Sequence, residues 1–143
     1  AITSAICNSF KVEILKAVHN FTAGGANVFN LALYTSSATL NKSTTAYITT
    51  NEVATATGYT AKGKALTSVT PVLSSDTAVC DFANVSWTSA SFTSRGCLIF
   101  NDSVATDPAV CAIDFGGDKT VTSGTFTIEF PAATAGNAII GIA

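Results

Sequence analysis

Residues 97–115 read CLIFNDSVATDPAVCAIDF and carry the pattern that decides the fold. Its two apolar runs, CLIFN (97–101) and AVCAIDF (109–115), are short and rich in the β-branched and aromatic residues that strands favour. Asn101-Asp102-Ser103 and Asp107-Pro108 lie between these runs, and they are typical turn residues. The stretch therefore predicts two strands separated by a turn region.

Similar short runs with a period of two occur on both sides of this stretch. They are VFNLALYT (28–35), TAVCDFA (77–83), VSWTSASF (85–92), GTFTIEF (124–130) and NAIIGIA (137–143). Gly116-Gly117-Asp118 and Pro131 supply further turns between them. Several short strands at such spacing indicate a mainly β protein, either an antiparallel β-sandwich or a barrel-like domain. The length of 143 residues, with no linker, predicts a single domain over 1–143 with the sandwich over 28–143.

The N-terminal segment has a different period. Apolar residues recur there at near-helical spacing, namely Ile6, Phe10, Ile14, Val18 and Phe21. Thr3 or Ser4 can cap the start, and Ala23-Gly24-Gly25 can stop the chain from continuing as a helix. We therefore expect one amphipathic helix at about 5–20. Its polar face has too few cations for a membrane-surface helix, so packing on the rest of the domain is the expected role.

Residues 36–63 are polar and rich in Thr, and they show no strand period. A segment of that length without regular structure usually has a task, so we expect a polar extended arm. At its end, GYTAKGKA (58–65) is one residue short of a phosphate-binding loop, because Ala65 stands where the magnesium-ligating hydroxyl belongs. The following ALTSVTPVL (65–73) is typical of extended chain and not of a first helix turn. A turn with two glycines is the better interpretation.

Composition excludes several classes of partner. Only 11% of the residues are charged and the net charge is −2, which gives no electrostatic footprint for nucleic acid. No stretch approaches the roughly 20 apolar residues of a membrane span. The four cysteines, Cys7, Cys80, Cys97 and Cys111, form no C-x-x-C pair, so we expect free thiols, no metal and no cofactor. A Cys80–Cys97 or Cys97–Cys111 bridge is the less favoured alternative.

The sequence offers no assembled catalytic set. His19 is the single histidine, and no G-x-S-x-G motif accompanies it. Asp114 and Asp118 flank a Gly-Gly pair in DFGGDK, which lacks the ligand series of a calcium loop and favours turn capping. We therefore expect no enzyme activity.

Two single residues have competing interpretations. Trp87 shares a strand face with Val85, which favours a core position over a sugar-stacking platform with Tyr47 or Tyr59. Arg95 is the only arginine; an ion pair with a nearby carboxylate is preferred to an intersubunit contact. Gly96, next to it, indicates a bulge or a close approach of two backbones.

Three long runs together carry a family resemblance. They are LALYTSSATLNKSTTAY with the following TTNEV and TGYTAKG, CDFANVSWTSASFTSRGCLIFND, and AVCAIDFGGDKTVTSGTFTIEFPAATAGNAIIGIA. With the opening ITSAICNSFKVEIL, they resemble a family of small virion structural proteins common in tailed bacteriophages. The resemblance covers nearly the whole chain. It implies a virion component made in the host cytoplasm, either a capsid decoration (cement) protein or a tail-associated piece, and it implies no catalysis.

The expected partners are the major capsid protein or other virion proteins, with the chain present as a homo-oligomer or as lattice-bound copies. The segment least explained by a core supplies most of the candidate intersubunit contacts, which are Asn51, Glu52, Tyr59, Lys62, Lys64 and Arg95. A host-glycan-binding module that uses exposed aromatic residues is the alternative function.

Overall fold

The computed structural model describes residues 1–56 and 58–143. Strands hold 49% of the residues and helix 6%, so the protein is mainly β, as predicted. The elements in chain order are β1 (Ala5–Ile6), α1 (Asn8–Leu15), β2 (Phe29–Tyr34), β3 (Lys64–Ala65), β4 (Ser68–Ser74), β5 (Thr77–Phe82), β6 (Val85–Asn101), β7 (Ala109–Ile128) and β8 (Ile140–Ile142).

The strands form two antiparallel sheets that do not close into a barrel. The larger sheet has the order β1-β7-β6-β2-β3, and the smaller one has the order β4-β5-β8. The centre of the larger sheet is the hairpin of β6 and β7, paired from Phe100↔Ala109 to Val85↔Ile128. The stretch 97–115 therefore forms the closed end of this hairpin, where all of Cys97–Phe100 is buried.

An aromatic cluster joins the two sheets. Phe29 of β2 lies 6.0 Å from Phe82 of β5, and Phe21 stacks on Phe29 at 4.3 Å between ring centroids. Phe10 of α1 lies 5.9 Å from Phe21, which attaches the helix to the same cluster. Burial of such large rings supplies much of the hydrophobic stabilisation of a small domain.

The helix is shorter than the predicted 5–20. Ala5 and Ile6 pair with Ala112 and Cys111 of β7, so these two residues belong to the sheet. Cys7 occupies the N-cap position, where Thr3 or Ser4 was expected, and no side chain caps the helix. The helix ends at Leu15, and Ala17 has a left-handed φ of 58°. Sheet pairing at one end and this left-handed residue at the other limit the element to two turns.

The prediction of a turn at Gly116-Gly117-Asp118 is also wrong. These residues lie inside β7, where the pairing passes from Gly96↔Asp114 to Ser94↔Lys119. The extra residues of β7 form a bulge, and Gly116 has a φ of 80°. The prediction at Gly96 was a bulge or a close backbone approach, and both occur: the register shifts between Ser94 and Gly96, and a Cβ on Gly96 would lie 2.4 Å from the Ile113 carbonyl oxygen.

Residues 36–63, as far as they are described, pack on the domain and do not extend from it as an arm. Ala38, Leu40, Val53 and Tyr59 are buried in the core. Leu40 pairs with Ile2 in a parallel bridge. Polar side chains such as Asn41 and Thr55 accept backbone N–H groups of its turns, while a few apolar residues anchor the segment to the sheet.

Candidate interaction surfaces

The segment 51–64 is organised around the Glu52 carboxylate. The Tyr47 hydroxyl donates to Glu52 Oε2 at 2.6 Å, and the Tyr59 hydroxyl donates to Glu52 Oε1 at 2.7 Å. The Lys62 backbone N–H donates to the same Oε1 at 2.7 Å. The Tyr59 hydroxyl also accepts the N–H of Leu33 at 2.9 Å, which ties the network to β2. One carboxylate thus joins Tyr47 to two parts of this segment and holds them against the larger sheet.

The two tyrosines keep their protons because of this environment. Burial, followed by the hydrogen bond to Glu52, raises the pKa of Tyr47 to about 12. The same two causes raise the pKa of Tyr59 far above its usual range. Both hydroxyls therefore remain donors to the carboxylate across the physiological pH range.

The near match to a phosphate-binding loop is a pair of turns, as expected. Gly58 and Gly63 have φ values of 86° and 67°. A Cβ on Gly63 would lie 1.8 Å from the Leu31 carbonyl oxygen, so the turn lies directly on the β2 backbone. No space remains on that side for a phosphate group.

The two lysines of GYTAKGKA (58–65), Lys62 and Lys64, both bond to other residues of the chain. Lys62 Nζ contacts Asp102 at 3.0 Å and Asp107 at 2.8 Å, and hydrogen bonds to Asp107 and then Asp102 raise its pKa to about 12. Lys64 Nζ donates to the Ser86 carbonyl oxygen and lies 5.9 Å from the Trp87 ring centroid. Both cations therefore have partners of their own chain.

The remaining candidate contacts also have internal partners. Asn51 adopts a left-handed φ of 61° and donates from Nδ2 to the Ser37 carbonyl oxygen at 3.0 Å. Arg95 Nε contacts Asp114 at 3.1 Å, which is the ion pair favoured from the sequence. The Gly116 N–H, and after it Arg95, lowers the pKa of Asp114. Glu52, Tyr59 and Lys62 thus share one network, whereas Asn51 bonds to residues 35 and 37 and Arg95 belongs to a separate ion pair.

The aromatic residues of the sugar-stacking alternative do not form a surface platform. Trp87 is 1% exposed and Tyr59 is 3% exposed, and their ring centroids lie 6.2 Å apart in the core. Tyr47 stacks on Phe100 at 4.8 Å. The core position predicted for Trp87 is therefore confirmed.

His19 is buried beyond the end of α1, between two polar side chains. The Ser103 N–H donates to Asn101 Oδ1, so the Asn101 Nδ2 group is left facing His19 Nδ1 at 3.1 Å. Nδ1 then accepts, and Nε2–H donates to Glu13 Oε1 at 3.3 Å. Burial lowers the pKa of His19, while Glu13 opposes that shift. The ring is a neutral structural bridge between α1 and the larger sheet.

The four cysteines are free thiols. Burial raises the pKa of Cys7 to about 11 and that of Cys111 to about 12. Within the described ranges 1–56 and 58–143, no three His, Cys, Asp or Glu side chains are grouped as metal ligands. In the same ranges, no helix is long and apolar enough to cross a membrane.

Apolar surface is left uncovered at one end of the smaller sheet. Leu73, Ala78 and Ile142 are cross-strand neighbours, and all three are exposed, Leu73 to 72%. We call this row the apolar rim. It lies beside a groove of about 400 Å³ whose lining includes Ile14, Ala17 and Pro71. An exposed, contiguous apolar surface of this kind is typical of an interaction site.

A concavity of about 830 Å³ lies beside the larger sheet, between β1, the two ends of β7 and the connection from β7 to β8. One wall is β1 with the start of β7, and the other is the chain around Phe130 and Ala138. Its floor includes Phe115 and Phe126, whose ring centroids lie 6.2 Å apart. We call it the seam groove. The alternation in GTFTIEF (124–130) is only a weak signal for this groove, because it predicts an apolar face without saying what covers it.

No protein-family model, no curated protein and no solved structure matches the chain.

Proposed function

We propose that the chain is a structural protein of a tailed-phage virion and that it acts as a capsid decoration protein. In this role it binds neighbouring copies of the major capsid protein and stabilises the assembled shell. The observation that carries the proposal is the resemblance of nearly the whole chain to small virion proteins of tailed phages. The uncovered apolar rim agrees with it, because a protein that functions within an assembly keeps surface for its neighbours.

The surface chemistry fits binding without large desolvation costs. Only 11% of the residues are charged; Lys62 is already ion-paired with Asp102 and Asp107, and Lys64 already donates to the Ser86 carbonyl oxygen. Breaking those pairs to form new contacts would leave Asp102 or Asp107 without its partner. We therefore place the main capsid contact at the apolar rim and not at Lys62 or Lys64.

Binding only to the assembled lattice would stabilise that lattice by mass action. A ligand present at 100 times its dissociation constant contributes about 2.7 kcal/mol per site. Over many copies this term accumulates and needs no covalent link.

The position of the protein on the virion is tested with intact particles. Gold-labelled antibody, or density from electron microscopy, should find copies spread over the shell. Copies confined to the tail would contradict the decoration role but keep the virion assignment. Particles without any copies would contradict both.

The contact surface is tested with a charge. Leu73→Asp should lower the number of copies bound per particle at least tenfold, because an aspartate in the rim would be desolvated without a partner. Val12→Asp, at an exposed apolar residue on α1, is the matched control and should leave occupancy unchanged. Equal occupancy of both variants would remove the rim from the proposal.

A further inference from the structure

The outer edge of β7 has an unused stretch of backbone. β1 pairs with β7 only at Cys111 and Ala112, and the Ser4 hydroxyl accepts the Asp114 N–H just beyond. From there to Ile128, no strand among the described residues pairs with that edge, while β6 occupies the other. An unpaired edge offers N–H and C=O groups to another chain, and proteins usually cover or blunt such edges.

The unpaired edge borders the seam groove at both of its ends. The groove is lined by Phe115 and Lys119 near the start of this edge, and by Phe126 and Ile128 at its end. Phe126 and Ile128 alternate with the exposed Thr125 and Thr127, of which only Thr127 also lines the groove, so this end of the strand presents an apolar side chain to the groove at every second position. An added strand would find backbone partners and an apolar cleft in one place.

The charges at the groove restrict what can enter. Lys119 and Glu129 are its only charged lining residues, both are exposed, and their charges are opposite. Together they carry no net charge, so a strongly charged segment of either sign would gain little from them and would lose hydration in the apolar interior. The chemistry suits an uncharged segment with apolar side chains in alternate positions.

We propose that the seam groove accepts one extended segment of a neighbouring virion subunit, which adds to the edge of β7 as a further strand. Main-chain hydrogen bonds would supply affinity, and the groove would select an uncharged sequence with an apolar residue at every second position. This inference rests on the proposed function, since the particle supplies the neighbour. It adds a second contact to the one at the apolar rim.

The isolated chain gives the first test. The probes are capped heptapeptides in which Thr alternates with Val, Ile or Phe, and heptapeptides of the same composition with the apolar residues grouped serve as controls. We expect an alternating peptide to bind and to slow amide exchange in residues 114–128 at least tenfold. If no alternating peptide binds, or if grouped peptides bind equally well, the inference is wrong.

Ala138→Phe, which fills the groove from a half-buried position, should weaken peptide binding at least tenfold. Ala135→Phe, at an exposed alanine outside the groove lining, is the matched control and should bind as the original chain does. Thermal unfolding of both variants checks that each is folded. Unchanged binding by a folded Ala138→Phe variant would overturn the assignment of the groove.

Intact particles separate this inference from the proposed function. If the chain binds particles but amide exchange in residues 114–128 stays as fast as in the free chain, the groove inference is wrong and the proposed function stands. If the chain binds no particle, the proposed function fails, and the peptide experiment still decides the groove. A concentration-dependent dimer that Ala138→Phe abolishes would assign the groove to a second copy and overturn the choice of a different subunit.

Discussion

At the scale of single residues, backbone and side-chain geometry fix what each position tolerates. His19, Gly63 and Trp87 illustrate three kinds of constraint: a buried titratable ring, a glycine against a neighbouring backbone, and a large aromatic ring in the core. Each constraint gives a prediction that can be checked on the isolated chain.

The buried His19 should make the protein sensitive to acid. Its pKa is lowered in the folded state, so the unfolded state binds more protons below the ordinary value of 6.5. The contribution of His19 is therefore complete above pH 6.5 and is lost as the pH falls towards the folded-state pKa. Denaturant unfolding between pH 7.5 and 5 should show a steeper loss of stability for the original chain than for His19→Gln. Equal slopes would contradict the prediction.

Gly63 should not tolerate a side chain. Gly63→Ala forces a Cβ to 1.8 Å from the Leu31 carbonyl oxygen, in addition to the left-handed backbone. Gly24 has the same φ of +67° with nothing within 4 Å, so Gly24→Ala isolates the backbone strain, about 1 kcal/mol. We expect Gly63→Ala to cost at least about 2 kcal/mol more than Gly24→Ala in urea unfolding. Equal costs would show that the turn moves away from β2 easily.

Trp87 should report a buried environment. Its emission maximum should lie at a shorter wavelength than that of an exposed tryptophan. The emission should resist quenching by iodide and stay unchanged when sugars are added. Unfolding in urea should shift the emission to the red and restore quenching. Quenching in the folded state would place the ring at the surface and restore the platform alternative.

At the scale of elements, the Glu52 network decides how the 51–64 segment lies on the sheet. Three donors converge on one carboxylate from Tyr47, Tyr59 and the Lys62 backbone. Hydrogen bonds to charged groups are stronger than neutral ones, and they hold a segment that has little regular structure of its own.

Replacing Glu52 should loosen that segment without unfolding the domain. Glu52→Gln puts an amide N–H₂ group where one tyrosine hydroxyl donates, and should cost about 1–3 kcal/mol. Amide exchange should accelerate in residues 51–64 more than in β6. Glu129→Gln, at an exposed carboxylate, is the control and should change stability by less than about 0.5 kcal/mol. Uniform acceleration over the whole chain would mean that the segment does not open on its own.

At the scale of the whole molecule, the aromatic cluster of Phe21, Phe29 and Phe82 joins the two sheets into one hydrophobic core. The smaller sheet contributes Phe82, which is 2% exposed. Because both sheets bury surface against the same rings, we expect them to unfold together.

Phe82→Ala tests this shared core. Removing a buried phenylalanine leaves a cavity and should cost about 3–5 kcal/mol. Far-ultraviolet circular dichroism and Trp87 fluorescence, which reports the larger sheet, should still lose their signals at one common temperature, lower than before. Leu73→Ala, at an exposed leucine, should shift stability by less than about 0.5 kcal/mol. Separate transitions would show that the sheets fold independently.

The amino-acid sequence by itself determined the strand content, the antiparallel β class and the core position of Trp87. Period-two alternation is a local property, so it is visible in any stretch of a few residues. The sequence also predicted the Arg95 ion pair and the close approach at Gly96, because an arginine near carboxylates and a glycine inside a strand each have few structural explanations.

Only the tertiary structure decided the length of α1, the packing of residues 36–63 and the position of the groove. Whether Ala5 and Ile6 extend a helix or pair with β7 depends on residues more than 100 positions away, and no local pattern contains that choice. Whether Glu52 and Lys62 face a partner protein or bond to each other depends in the same way on how the turns of residues 51–64 pack on the larger sheet. Alternation places apolar residues on one face of a strand, but another part of the chain must cover that face. At the seam groove, no strand of the described residues fills the space over Phe115 and Phe126.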